Sequence, residues 1–189
     1  MNRWLFARSE LYRKYAECLP DTPSQIEMLF SSPEVGWLPT KFNISSKETE
    51  YIEFSYVYDP IPKLIQWLEY IVKNRWSGGS YIAIDCEGYD TIFCYEVMVA
   101  PDSEECKRPI HPTDCGLFTV YDTYSQQFIV EAFCETDELV RSLYTSLSDF
   151  VQKVIDDKDL EGHWDVDLEM YQELLNNQEL NSFYVPNQQ

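Results

Sequence analysis

Glycine is scarce in this chain, with 6 residues in 189. Neither a GxGxxG nor a GxxxxGKS/T run occurs, which removes the backbone cradles used for dinucleotides and nucleoside triphosphates. No internal repeat is present. Histidine is scarcer still: only His111 and His163 are available, and no GxSxG elbow accompanies them. Apolar runs are short, and none approaches the roughly 20 residues that cross a bilayer as a helix. The opening "MNRWLFARSELYRKYA" offers only Trp4 to Ala7 between arginines, too little for the apolar region of a secretory leader. A cytoplasmic protein that does not engage membranes is the expectation. The most uneven shortage is of positive charge. Lys and Arg number 14 against 33 Asp and Glu, for a net charge of −19. Residues 1–80 hold 9 basic and 10 acidic side chains, and residues 81–189 hold 5 and 23, so the acidity belongs to the second part. A field of that sign repels nucleic acid and anionic lipid, and it speeds encounter with basic proteins.

What is present in quantity is apolar and aromatic material. Apolar residues make up 44% of the chain, and 5 Trp, 14 Tyr and 10 Phe supply large core pieces. Disordered chains are poor in aromatics, so a folded domain is expected. The length suits one domain, residues 1–189, with residues 1–24 as a peripheral N-terminal segment and 185–189 as a frayed tail. Of the six cysteines, Cys86, Cys94 and Cys134 lie in strand-like apolar stretches, where a free thiol behaves as a small hydrophobe. A core of this size holds together without a disulfide framework.

The pattern along the chain alternates strands and helices. Leu11, Tyr12 and Tyr15 mark one side of a short first helix, ended by Pro20 and Pro23. A loop is expected around Pro33 and Pro39. "KFNIS" (41–45) and "YIEFSYVY" (51–58) read as paired strands. In the second, Ile52, Phe54, Tyr56 and Tyr58 alternate with other residues at the period of a half-buried strand. "DPIPKLIQWLEYIVKNRW" then opens with Asp59 as a cap and Pro60 at the first helical position. Ile61, Leu64, Ile65, Leu68, Ile71 and Val72 form one apolar stripe. Strands follow at 81–86 and 90–99, and again at "GLFTVYD" and "QQFIVEAFC". A second long helix begins at Thr136 and carries Leu139, Val140, Leu143, Tyr144, Leu147, Phe150, Val151, Val154 and Ile155. A third is expected from Asp165. Adjacent strand pairs on short connections predict an α+β fold: an antiparallel sheet of about six strands, two long amphipathic helices and a C-terminal helix. A mixed sheet is the alternative, if the helix at 60–75 crosses between parallel strands.

Three constellations invite chemistry. "IAIDCEGYDTIFCYEV" (82–97) places Asp85, Glu87 and Asp90 around Gly88. A calcium loop would require alternating oxygen ligands, glycine at the sixth position and a distal Glu at the twelfth. Counting from Asp85, Glu96 stands twelfth, but glycine falls fourth and apolar residues intervene, so a hairpin turn is expected. Cys106, His111 and Cys115 form the only soft-ligand cluster, short of the four ligands of structural zinc, and no metal or other cofactor is expected. The third constellation is charge. "DDKDLEGHWDVDLE" (156–169) carries seven carboxylates against one lysine, and "PDSEEC" (101–106) adds three. A solvated face is the plain reading of such a run. Tyr121, Tyr124, Trp164 and Tyr171, of residue types that anchor interfaces, are interspersed in the acidic part.

Three stretches, "FSYVYDPIPKLIQWLEYI", "IAIDCEGYDTIFCYEV" and, after a further hairpin, "DELVRSLYTSLSDFV", occur in that order. Across residues 51–155, this order and its hydrophobic pattern resemble the layout of immunity proteins from bacterial polymorphic and contact-dependent toxin systems. The resemblance implies action by binding, with no catalytic residue, and a cognate toxin, often a basic nuclease, as partner. The expectation is an acidic inhibitor that covers the cationic groove of such a toxin and does not itself bind nucleic acid. Its contact residues are read as Asp156, Asp157, Asp159, Glu161, Trp164, Asp165 and Asp167, with Glu104 and Glu105 second. A DNA-mimic regulator of a nucleic-acid enzyme and a metal- or Cys-dependent hydrolase are the other readings, and the oligomeric state stays open.

Overall fold

In the computed structural model of the chain, residues 3–49, 51–74, 79–98, 115–157, 164 and 166–184 are described. They form α1 (Arg3–Glu17), β1 (Ile26–Phe30), β2 (Trp37–Ile44), β3 (Lys47–Glu48), β4 (Ile52–Ser55), α2 (Pro60–Lys73), β5 (Gly79–Asp85), β6 (Asp90–Val97), β7 (Cys115–Asp122), β8 (Gln127–Glu135), α3 (Thr136–Asp156) and α4 (Leu168–Leu175). The class is α+β. The strands make two sheets instead of one: β1-β2-β3 with β4 also on β2, and β5-β6-β7-β8. Every strand pairing is antiparallel. The mixed-sheet alternative is therefore corrected. The helix in question, α2, leads from β4 in one sheet to β5 in the other, so it never crosses between parallel neighbours.

The long helices form for the reasons written in their sequences. Asp59 caps α2 by accepting from the Ile61 N–H at 3.0 Å, and Pro60 fills the position where no donor is missed. Ile61, Leu64, Ile65, Trp67, Leu68 and Ile71 are buried along its inner stripe. In α3, Asp137 and Glu138 stand in the first turn and Lys153 in the last, each at the helix end its charge favours.

Two strands depart from the expected pattern. Pro39, expected in a loop, lies inside β2, just beyond the last β1 partner, Thr40, where its carbonyl accepts from Ser31 N–H at 2.9 Å. The alternation of 51–58 stops at Ser55, and Tyr56–Tyr58 wind into a 3-10 turn. The Ser55 hydroxyl accepts from Val57 N–H at 3.2 Å, a local bond that competes with the strand ladder.

The two sheets meet through aromatic rings. Phe42 and Phe54 of the first sheet, Trp67 of α2, and Phe93 and Phe118 of the second stand with centroids 5.8 to 6.3 Å apart. Such contacts add to the burial energy when the rings are tilted or offset. The opposite face of the second sheet, carrying Ile92, Cys94, Leu117 and Tyr121, is covered by α1 through Trp4 and Leu11. No disulfide joins any two of the five described cysteines, and Cys86, Cys94, Cys115 and Cys134 are buried. No helix among the described residues is long and apolar enough to cross a membrane.

Candidate functional site: an acidic and aromatic end of the fold

Chain direction brings four turns to one end. The β5–β6 and β7–β8 hairpins open at the same edge of the second sheet, since Thr91 pairs with Asp122. Asp90 N–H donates to the Thr123 hydroxyl at 2.7 Å, tying the two turns together. In the first sheet, Trp37 pairs with Ser55, which sets the 34–37 turn beside the 3-10 turn at Tyr56–Tyr58. The Ser55 hydroxyl donates to the Glu87 carboxylate and so joins the two sheets at this end. The segments 34–37, 55–59, 85–90 and 122–127 contain Glu34, Asp59, Asp85, Glu87, Asp90 and Asp122, and neither lysine nor arginine.

The expected hairpin is present. Glu87 (φ +58°) and Gly88 (φ +113°) occupy its centre with positive φ at both positions, as a type I′ turn requires. Asp85 Oδ1 accepts from Glu87 N–H at 2.9 Å and Gly88 N–H at 3.4 Å. Its carboxylate is spent on shaping the turn. Asp122 does the same in the next hairpin, accepting from Tyr124 N–H at 3.0 Å and Ser125 N–H at 2.9 Å. Tyr124 is thereby held out at 80% exposure, its ring 5.8 Å from that of Tyr89. Burial, followed by the proximity of Cys86, Asp122 and Glu53, pushes the Tyr89 phenol up to about 12. Glu53 belongs to the first sheet, so carboxylates of both sheets act on one ring.

The described residues of the acidic C-terminal run reach the same end. With about 1.5 Å per residue, the 21 residues of α3 return nearly the length that β8 covers. Trp164 packs edge-on to Phe150 with centroids 6.1 Å apart, and its Nε1–H donates to the Tyr171 hydroxyl at 2.9 Å. Tyr171 in turn donates to Asp59 Oδ2 at 3.0 Å, at the start of α2. Burial raises the Asp59 carboxyl to about 6, against the opposing pull of the Ile61 N–H and Tyr171 bonds. Burial also raises the Tyr171 phenol, and Asp59 adds to the effect.

Of the residues expected to meet a partner, Trp164 is corrected. It is fully buried, as are Tyr171 and, on the α1 side, Tyr121. Their rings belong to the core, and only Tyr124 of the four acidic-region aromatics is exposed. Asp156 is exposed at the end of α3, and Asp157 is half-buried. Asp167 is exposed but caps α4, accepting from Glu169 and Met170 N–H. Asp159, Glu161, Asp165, Glu104 and Glu105 lie outside the described residues, as do Cys106 and His111. Cys115 is buried in β7. Among the described residues no group of three or more His, Cys, Asp or Glu side chains gathers to hold a metal ion.

Sequence reasoning missed the aromatic part of this end. Tyr56, Val57 and Tyr58 are exposed beside the 34–37 turn. The signal lay in the cap: a Ser-x-x-x-Asp-Pro run gives the backbone a side-chain partner at Ser55 and a helix start at Asp59, leaving room only for a turn between them. No family model, no curated protein and no solved structure matches the chain.

Proposed function

We propose that this chain is a non-enzymatic binding protein that neutralises a basic protein partner, an immunity-type inhibitor whose acidic end covers the cationic groove of a toxin such as a nuclease domain. The observation that carries the reading is the gathering of Glu34, Asp85, Glu87, Asp90 and Asp122 in turns drawn from both sheets, with Arg3 of α1 reaching them at Gln126. Turns separated by up to about ninety residues in sequence contribute to one surface, which suits recognition of a folded partner. Opposite charge across such a surface acts mainly on the rate of encounter and on selection against other partners. A cationic groove made to track phosphates offers the complementary potential.

The test is capture from lysate of the source cells at about 0.05 and about 0.5 M salt, where exposed charge pairs are strong and then screened. Wild type is compared with a Glu34→Lys, Asp90→Lys, Asp156→Lys variant. One basic protein held by the wild type at both salts and lost by the variant supports the inhibitor. A mixture of basic proteins, all released at the higher salt, leaves only non-specific attraction and refutes it.

A further inference from the structure

Val35 stands at the tip of the 34–37 turn with φ +49° and 87% of its surface exposed. Both properties run against its chemistry. A β-branched residue in the left-handed region is a genuine outlier, because its side chain crowds the backbone there. A valine so exposed gains nothing from the core. Its neighbour Gly36 (φ +82°) is fitted under an aromatic ring: a Cβ added there would lie 2.4 Å from Tyr56 Cδ1. Tyr56 N–H donates to the Gly36 carbonyl at 2.9 Å, fixing the 3-10 turn against the hairpin turn. Val57 (55% exposed) and Tyr58 continue the apolar ridge. Strain of this kind is kept where the surroundings enforce it, and it clusters at binding sites.

We infer that the ridge of Val35, Tyr56, Val57 and Tyr58 is the anchor of the interface, seating in an apolar recess of the partner whose rim is basic. The inference rests on the proposed partner-binding role of this end. The occupant is fixed by charge: exposed Glu34 flanks the ridge, and Ser55 at its base bonds the Glu87 carboxylate. An interface whose centre is apolar and aromatic, with a polar charged rim, is the usual arrangement of binding energy in protein complexes. The Tyr56 N–H bond to the Gly36 carbonyl and the Val57 N–H bond to the Ser55 hydroxyl tie down the backbone of the ridge, which lowers the backbone entropy lost on association.

The experiment titrates the ¹⁵N-labelled full chain with two heptapeptides of equal charge. One has four lysines around a Leu-Trp-Leu centre, and the other has the same lysines around Ser-Gly-Ser. Both are expected to move the amides of residues 86–90 and 122–126 at low salt. Only the apolar probe moves those of 35–37 and 56–58, and it binds about tenfold tighter, a modest fraction of what burying two valines can supply. Val35→Gly suits the positive φ while deleting the apolar tip, so its thermal midpoint stays equal or rises as the tenfold preference is lost. Equal affinities and equal shift patterns for the two probes overturn the anchor while leaving the acidic binding end intact. Binding of neither probe overturns both readings. A preference that survives in Val35→Gly also overturns the assignment of Val35 to the anchor.

Discussion

Replacing Asp59 by asparagine tests the link between the acidic end and the fold. Asp59 caps α2 and accepts the Tyr171 hydroxyl, and burial holds its carboxyl at about 6. An unfolded-chain aspartate titrates near 3.9. The folded value is the higher one, so the stabilisation from this group is complete below about pH 3.9 and is lost as pH rises through 6. Integrating the binding difference gives about 2 kcal/mol between pH 4.5 and pH 7.5. The informative quantity is the difference between wild type and Asp59→Asn, which isolates this one group. Asparagine retains an oxygen for the cap and cannot ionise, while its altered bond to Tyr171 gives an offset independent of pH. Urea unfolding of both proteins from pH 4.5 to 7.5 is expected to show wild type gaining about 2 kcal/mol over the variant as pH falls. A difference that stays flat across that range would refute a buried, hydrogen-bonded Asp59.

Three further expectations follow from burial and close approach, each checked by urea or thermal unfolding. Trp164→Ala, which empties a site enclosed by Phe150 and Tyr171, costs about 3–5 kcal/mol, whereas an exposed tryptophan would cost little. Gly116→Ala places a Cβ 2.6 Å from the Glu96 carbonyl oxygen and 2.5 Å from Tyr95, and it destabilises by about 3 kcal/mol or prevents folding. Gly88→Ala meets no atom within 4 Å, so its cost reduces to the positive φ, about 1–2 kcal/mol.

Local chemistry was legible where neighbours in sequence decide it. The Asp59–Pro60 cap, the stripes of α2 and α3 and the Glu87–Gly88 turn each follow from a few adjacent side chains. The two-sheet arrangement was not, because nothing in "YIEFSYVY" states that β4 pairs with β2 while β5 joins other strands. Trp164 illustrates the same limit. Amid seven carboxylates its charged neighbours suggest a surface, yet its partners Phe150 and Tyr171 are reached only through the packing of α3 against α4. Val35 was silent for another reason: its exposure and its positive φ are properties of the finished turn. As for the acidic contact residues, the sequence grouped them by adjacency, whereas the fold groups Glu34, Glu87, Asp90 and Asp156 from three separate segments.

The bond from Ser55 to Glu87 spans the boundary between the two sheets, and this has a thermodynamic corollary. A protein seated across that boundary holds contacts that exist only while both halves are docked. Its affinity is then converted into resistance to unfolding, by about 4 kcal/mol at a free concentration a thousand times the dissociation constant. Melting temperature thereby becomes a reporter of occupancy: candidate partners can be ranked by the heat the complex withstands, with no knowledge of what the partner does.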